Sequence, residues 1–177
     1  GIYASVGDAR RLPLGEILHI LRDAYCRTVG IEYMHIQEPE EKRWIQEQVE
    51  GASTKLDVDD QRHILDQLNA AEALEKFLGT KYLGQKRFGL EGAEALIPIL
   101  DAILEEAADA DLDSAVLGMS HRGRLNVLAN IVGKSYAQLF REFEGYVDPD
   151  SIQGSGDVKY HLGAEGVFES RLGASIP

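Results

Sequence analysis

Apolar residues recur three and four apart along most of this chain, which is the signature of amphipathic helices. Leu14, Ile17, Leu18, Leu21, Tyr25 and Val29 predict a first helix over about residues 14–29, with Gly30 as its stop. Residues 31–36 read as a short extended stretch. Pro39, Glu40 and Glu41 open a second helix, because proline tolerates the first turn and acids favour the positive helix end. Trp44, Ile45 and Val49 form its apolar side, and Gly51 closes it. Asp57 or Asp59 can cap a third helix through Ile64, Leu65 and Leu68. That pattern continues, past an expected bend near Asn69, through Leu74 and Phe77 to Gly79.

Another helix is expected over 91–107, where Leu96, Ile97, Leu100, Ile103 and Leu104 share a side. Pro98 sits awkwardly early in it and marks its expected true first turn. A polar link over 107–113 leads to Ser114-Ala-Val-Leu-Gly-Met119. This short apolar run reads as a buried strand at the edge of a parallel sheet. Two further helices follow, around Leu125, Leu128 and Val132 and around Tyr136, Leu139 and Phe143, and the chain is loop-like from Gly145 onward. One strand cannot form a sheet, so its partners are either concealed elsewhere in this pattern or lie in sequence beyond these residues, the second agreeing with the abrupt ends. No internal repeat and no low-complexity tract interrupts the pattern.

The chain has 177 residues, 44 % of them hydrophobic, which suffices for a real core. Its formal net charge is -12, from 18 basic and 30 acidic side chains, which argues against nucleic acid as the main partner. Cys26 is the only cysteine, so no intramolecular disulfide can form and a reducing compartment is the natural expectation. A packed, inert thiol is the reading for it. No apolar run approaches the roughly 20 residues of a membrane span. The first residues carry neither a signal-peptide core nor an initiating Met, so the chain is expected to be part of something longer.

Two phrases hold the candidate chemistry: Gly118-Met-Ser-His-Arg-Gly-Arg-Leu-Asn126 and Gly156-Asp-Val-Lys-Tyr-His-Leu-Gly163. Each sets a histidine beside a cation and glycines where regular structure yields to loop. Histidine exchanges protons near neutral pH, and glycine admits a ligand close to the backbone. The strand-to-helix junction at residues 120–124 would favour an anion, with Arg122 and Arg124 adding fork-shaped donors. The plainer alternative is that Ser120 caps a helix while both arginines pair with surface acids. For the Gly154–Ser155–Gly156 stretch the alternative is an ordinary turn. A third candidate is the loop over 81–92, rich in glycine and cations, for which a solvated loop is the favoured reading. No spacing of His, Asp and Glu suggests a metal site, and no Ser or Cys stands in a nucleophile context.

Taken together, six phrases are far more specific than any one: Glu32-Tyr-Met-His-Ile36, Lys42-Arg-Trp44, Phe77-Leu-Gly-Thr-Lys-Tyr82, Lys86-Arg-Phe-Gly-Leu-Glu-Gly92 and the two above. In this order they resemble the thiamine-dependent dehydrogenase component of the 2-oxoglutarate dehydrogenase complex, nearest its actinobacterial, multifunctional versions. The resemblance runs from Leu14 to Gly163 and fades after Gly166. It implies an α/β thiamine diphosphate-binding fold, mainly helical here with one early parallel-sheet strand. Residues 1–112 would be a helical lead-in and 113–177 the incomplete start of the first cofactor-binding domain. It implies oxidative decarboxylation of 2-oxoglutarate on thiamine diphosphate with Mg²⁺, then succinyl transfer to a lipoyl group of the partner succinyltransferase. A cytoplasmic homodimer without nucleic acid or membrane partners is expected of the complete enzyme. His121 and His161 would be catalytic, Arg122 would lie by the cofactor or the substrate carboxylate, and Phe88 would wall the pocket. The family's Gly-Asp-Gly motif, which with a later Asn holds Mg²⁺, is missing, as is a candidate for the activating glutamate. This chain alone is therefore expected to be inactive, with the metal ligands outside it. Two alternatives are a 2-oxoadipate-type dehydrogenase and a non-catalytic docking segment.

Overall fold

The computed structural model describes residues 11–50, 56–145 and 160–177. The chain divides into two compact units, Gly1–Leu56 and Asp57–Pro177.

The first unit holds α1 (Leu14–Tyr25) and α2 (Pro39–Val49). Helix α1 stops four residues before the expected end, and Val29 is 62 % exposed. An apolar residue that buries nothing cannot hold another helical turn. Tyr25 instead ties the helix end to the following chain: its hydroxyl lies 2.9 Å from that of Tyr33 and donates to Glu50 Oε1 at 2.8 Å. Burial and the neighbouring carboxylate push the Tyr25 phenol well above its usual range. Residues 31–36 form no strand; a turn closes on the Ile36 N–H bond to the Tyr33 carbonyl. In α2, Pro39 occupies the first turn with Glu40 and Glu41 behind it, as the pattern predicts.

The second unit is built on α3 (Val58–Lys81), capped by Asp57, whose carboxylate accepts from the Asp59 and Asp60 N–H groups. Helix α3 passes Asn69 without a break, because Ala70 and Ala71 continue it and Ala71 is fully buried. Helix α4 (Leu96–Asp109) begins five residues later than the apolar pattern suggests and places Pro98 in its first turn, where no N–H is needed. Two short helices follow, α5 (Arg124–Asn130) and α6 (Tyr136–Phe143). Ser135 caps α6 by accepting from the Gln138 N–H.

Helices α3 and α5 separate two apolar clusters. On one side Ala71 and Val127 meet Ile97, Leu104 and Ala108 of α4. On the other, Leu74, Leu78, Leu125 and Leu128 meet Leu139 and Phe143 of α6. Each fully buried leucine or isoleucine contributes roughly 1.5–3 kcal/mol. Among the described residues no helix is long and apolar enough to cross a membrane.

The expected parallel strand is overturned. Residues 114–119 pair with no strand, and Val116 is 93 % exposed. A parallel strand exists only where a neighbour offers its ladder, and among the described residues none does. The two strands observed, β1 (Phe168–Glu169) and β2 (Ser175–Ile176), lie instead in the tail and pair antiparallel, Phe168 with Ile176. This hairpin is docked: Ser170 Oγ donates to Asp109 Oδ1 at 2.7 Å, Arg171 donates to Glu105 and Asp60, and Ile176 is buried. Its end returns to the apolar run, where Ala115 N–H donates to the Pro177 carbonyl at 2.9 Å.

Candidate active site

Gly123 precedes α5 in the left-handed region, at φ 71°, so the chain turns sharply just after His121. Its N–H donates to the Phe88 carbonyl at 3.0 Å, and a Cβ on Gly123 would collide with Leu90. The phrase around Phe88 is thereby pressed directly onto the phrase around His121. The loop over 81–92 is solvated over residues 83–86, as expected, but not throughout: Leu90 is 1 % exposed and belongs to the core.

Beneath this turn sits a buried carboxylate. Glu75 of α3 accepts from the Leu90 N–H at 3.0 Å and from Asn126 Nδ2 at 3.1 Å, with Arg87 at 3.6 Å. Burial holds its pKa above the usual range, against the opposing pull of those hydrogen bonds. Gly89 passes so near that a Cβ there would stand 2.7 Å from Glu75 Oε2. Asn126, 1 % exposed, also donates to the Ala71 carbonyl, so one side chain links α5 to α3.

Above it four rings meet. Phe88 lies 4.9 Å from His121 and 5.0 Å from Tyr160, the latter edge-on at 80°. His121 lies 4.9 Å from His161, again edge-on at 85°. Tyr160 is buried and its hydroxyl accepts from the Phe88 N–H at 2.8 Å. Lys86 Nζ stands 5.0 Å from the Phe88 ring centre, a cation–π contact. The two histidines thus come from distant sequence positions to one aromatic corner, with His161 on the exposed side.

The two arginines divide. Arg122 is exposed and donates to the Gly89 carbonyl at 3.1 Å. Arg124 donates to the carbonyls of Met119 and Leu162, so it clamps the run before His121 to the run after His161. Its Nε is buried without a partner among the described residues. Neither arginine pairs with a carboxylate among the described residues, contrary to the plainer alternative. Among the described residues no strand enters the junction at residues 120–124, and α5 spans only seven residues. Arg124 also lines an apolar cleft of about 460 Å³, together with Ala115, Met119, Val127, Gly163 and Phe168.

The structure therefore brings together Phe88, His121, Arg122 and His161, the four residues singled out from sequence. The glycine-rich stretch at residues 154–156 lies outside the described residues. Sequence reasoning missed three contributors. Tyr160 stood inside a quoted phrase, and its only signal was an aromatic among glycines and polar residues. Asn126 carried a comparably faint signal, while Glu75 looks like any acid on a helix. Among the described residues no three His, Cys, Asp or Glu side chains gather as metal ligands.

No family model matches the chain. Individual proteins do. It is 59 % identical over 160 residues, 90 % of its length, to a multifunctional 2-oxoglutarate metabolism enzyme of Mycolicibacterium vanbaalenii. A protein of the same name from a Mycobacterium species is 58 % identical over 93 % of this chain. The 2-oxoglutarate dehydrogenase E1/E2 component of Corynebacterium glutamicum is 55 % identical over 90 %. The chain is kin to enzymes of 2-oxo acid metabolism. More closely, it belongs to the 2-oxoglutarate dehydrogenase family of these bacteria, and it spans 13 % of the length of the curated relatives it matches.

Proposed function

We propose that this chain supplies part of the active site of a thiamine diphosphate-dependent 2-oxoglutarate dehydrogenase. The complete enzyme decarboxylates 2-oxoglutarate and passes the succinyl group to a lipoyl group on a succinyltransferase partner. The observation that carries this reading is the edge-on pair of His121 and His161, centroids 4.9 Å apart, backed by Phe88. Two imidazoles, with the exposed Arg122 guanidinium held on the Gly89 carbonyl next to Phe88, supply donors for a carboxylate and a developing oxyanion.

In this reading His121 and His161 donate to, or take protons from, the reacting oxygens. Arg122, held by its bond to the Gly89 carbonyl, meets a carboxylate of the substrate or the cofactor. Phe88 excludes water from one side. In this reading the described residues face the reacting end of the cofactor. Mg²⁺ and the groups that hold it are assigned outside this chain. When bound, thiamine diphosphate supplies the electron sink for decarboxylation. Residues 113–177 are proposed to begin the cofactor-binding domain, and the complete enzyme to be a cytoplasmic homodimer. The single cysteine supports a reducing, intracellular setting.

The test is carbon dioxide release from 2-oxoglutarate by the complete enzyme, with thiamine diphosphate and Mg²⁺ present. His121→Ala and His161→Ala are each expected to abolish most of it. A wild-type rate in both variants ends the proposal.

A further inference from the structure

Tyr160 and His161 are neighbours in sequence with opposite fates. Tyr160 is 1 % exposed, packed in the cluster of Leu125, Leu128 and Leu139, while His161 stands at the surface. The Tyr160 ring lies 5.0 Å from Phe88 and 5.6 Å from His121. Its hydroxyl accepts the Phe88 N–H, and the Phe88 carbonyl accepts the N–H of Gly123, two residues beyond His121. A chain of contacts therefore runs from Tyr160 through Phe88 to the turn that carries His121, and returns through the His121 ring to His161. Neither imidazole has a hydrogen-bonding side-chain partner among the described residues, so ring packing and these backbone anchors set their orientation. Ring burial alone would be served by phenylalanine. A buried hydroxyl is costly unless it bonds, and this one bonds to the backbone of a residue that touches His121.

We infer that Tyr160 is a positioning residue for the His121–His161 pair, acting through the backbone of Phe88. The inference deepens the proposed function and rests on it for its catalytic meaning, but the geometry it asserts can be measured without turnover.

The experiment uses the full chain with isotope-labelled histidine and phenylalanine, as wild type, Tyr160→Phe and Tyr160→Leu. Three quantities are read by magnetic resonance and calorimetry: the contact between the two imidazole rings, amide exchange at Phe88, and the melting profile. Tyr160→Phe keeps the ring and removes only the hydroxyl. It is expected to melt cooperatively, to exchange the Phe88 amide at least about tenfold faster, as a freed amide does, and to weaken the imidazole contact. Tyr160→Leu should weaken that contact further; if it does not fold, Tyr160→Phe alone decides. In the complete enzyme Tyr160→Phe should lower kcat by roughly tenfold or more with KM little changed, since small misplacement of reacting groups is costly. An imidazole contact unchanged in Tyr160→Phe overturns the inference, even where the Phe88 amide loses protection, because the hydroxyl would then serve stability alone. If the complete wild-type enzyme releases no carbon dioxide from 2-oxoglutarate, the proposed function fails while the ring contact still decides the role of Tyr160.

Discussion

Gly123 and Leu90 occupy mutually exclusive space: the Leu90 side chain fills the position where a Gly123 Cβ would stand. The glycine also sits at φ 71° and donates its N–H to the Phe88 carbonyl at 3.0 Å. That one approach joins the loop carrying Phe88 to the turn carrying His121.

Gly123→Ala should therefore be severely destabilising. The left-handed conformation costs an L-residue roughly 1–2 kcal/mol. Overpacking against Leu90 adds about 1–3 kcal/mol. Chemical denaturation should show a loss on the order of 2–5 kcal/mol. Gly84→Ala also has positive φ but meets no atom, so it should lose only the conformational part. Equal losses in the two variants would remove the close approach as a cause.

His121→Ala and His161→Ala should impair turnover of the complete enzyme far more than folding. Losing a preorganised donor to a developing oxyanion typically costs about 10²–10³-fold in rate. The reverse should hold for Leu128→Ala, which empties a site 5 % exposed on α5 and should lower stability by roughly 2–5 kcal/mol. Rates per folded molecule and melting temperatures, measured together, separate the two outcomes. Histidine variants that melt early yet keep a near-normal rate would make both residues structural.

Glu75 should give the second unit a distinctive pH response. Burial raises its pKa in the folded state above the ordinary 4.5. As pH rises from 4.5, the unfolded chain ionises first, so the folded state loses stability until the pH passes the folded pKa. The greatest contribution from Glu75 thus lies below about pH 4.5. Glu75→Gln keeps an oxygen for the Leu90 and Asn126 donors and cannot ionise. Its stability relative to wild type should rise with pH across that window, by at most about 1.4 kcal/mol per pH unit. Parallel stability-pH curves for the two proteins would refute a raised folded pKa.

Lys134 and Glu142 form a buried ion pair at 2.6 Å, with the lysine side chain 1 % exposed. Removing one partner leaves the other charge buried and uncompensated, which costs about 3–5 kcal/mol. Lys134→Ala should approach that loss in a denaturant titration. Lys134→Met combined with Glu142→Leu should recover much of it, since an apolar replacement of similar volume needs no desolvated charge. A double variant as unstable as the single one would contradict this account.

Helix identity along this chain is a local property, and so the amino-acid order alone makes it legible. The 3.6-residue spacing of apolar side chains, the Asp57 and Ser135 caps and the early prolines all act within a turn or two. Whether residues 114–119 form a strand is a different kind of question. An apolar run is compatible with a sheet, but a ladder requires hydrogen-bonding partners from elsewhere, and among the described residues the one backbone–backbone bond of this run joins Ala115 to Pro177. The tail hairpin likewise depends on partners more than fifty residues away, Glu105, Asp60 and Asp109. So does the site itself. Phe88, His121 and His161 become one cluster only because Gly123 lets two backbones touch and Tyr160 finds a buried place beside Leu128. Periodicity encodes which face of a segment turns inward; it does not encode which other segment waits there, because packing is settled by shape and volume between residues that the sequence keeps apart.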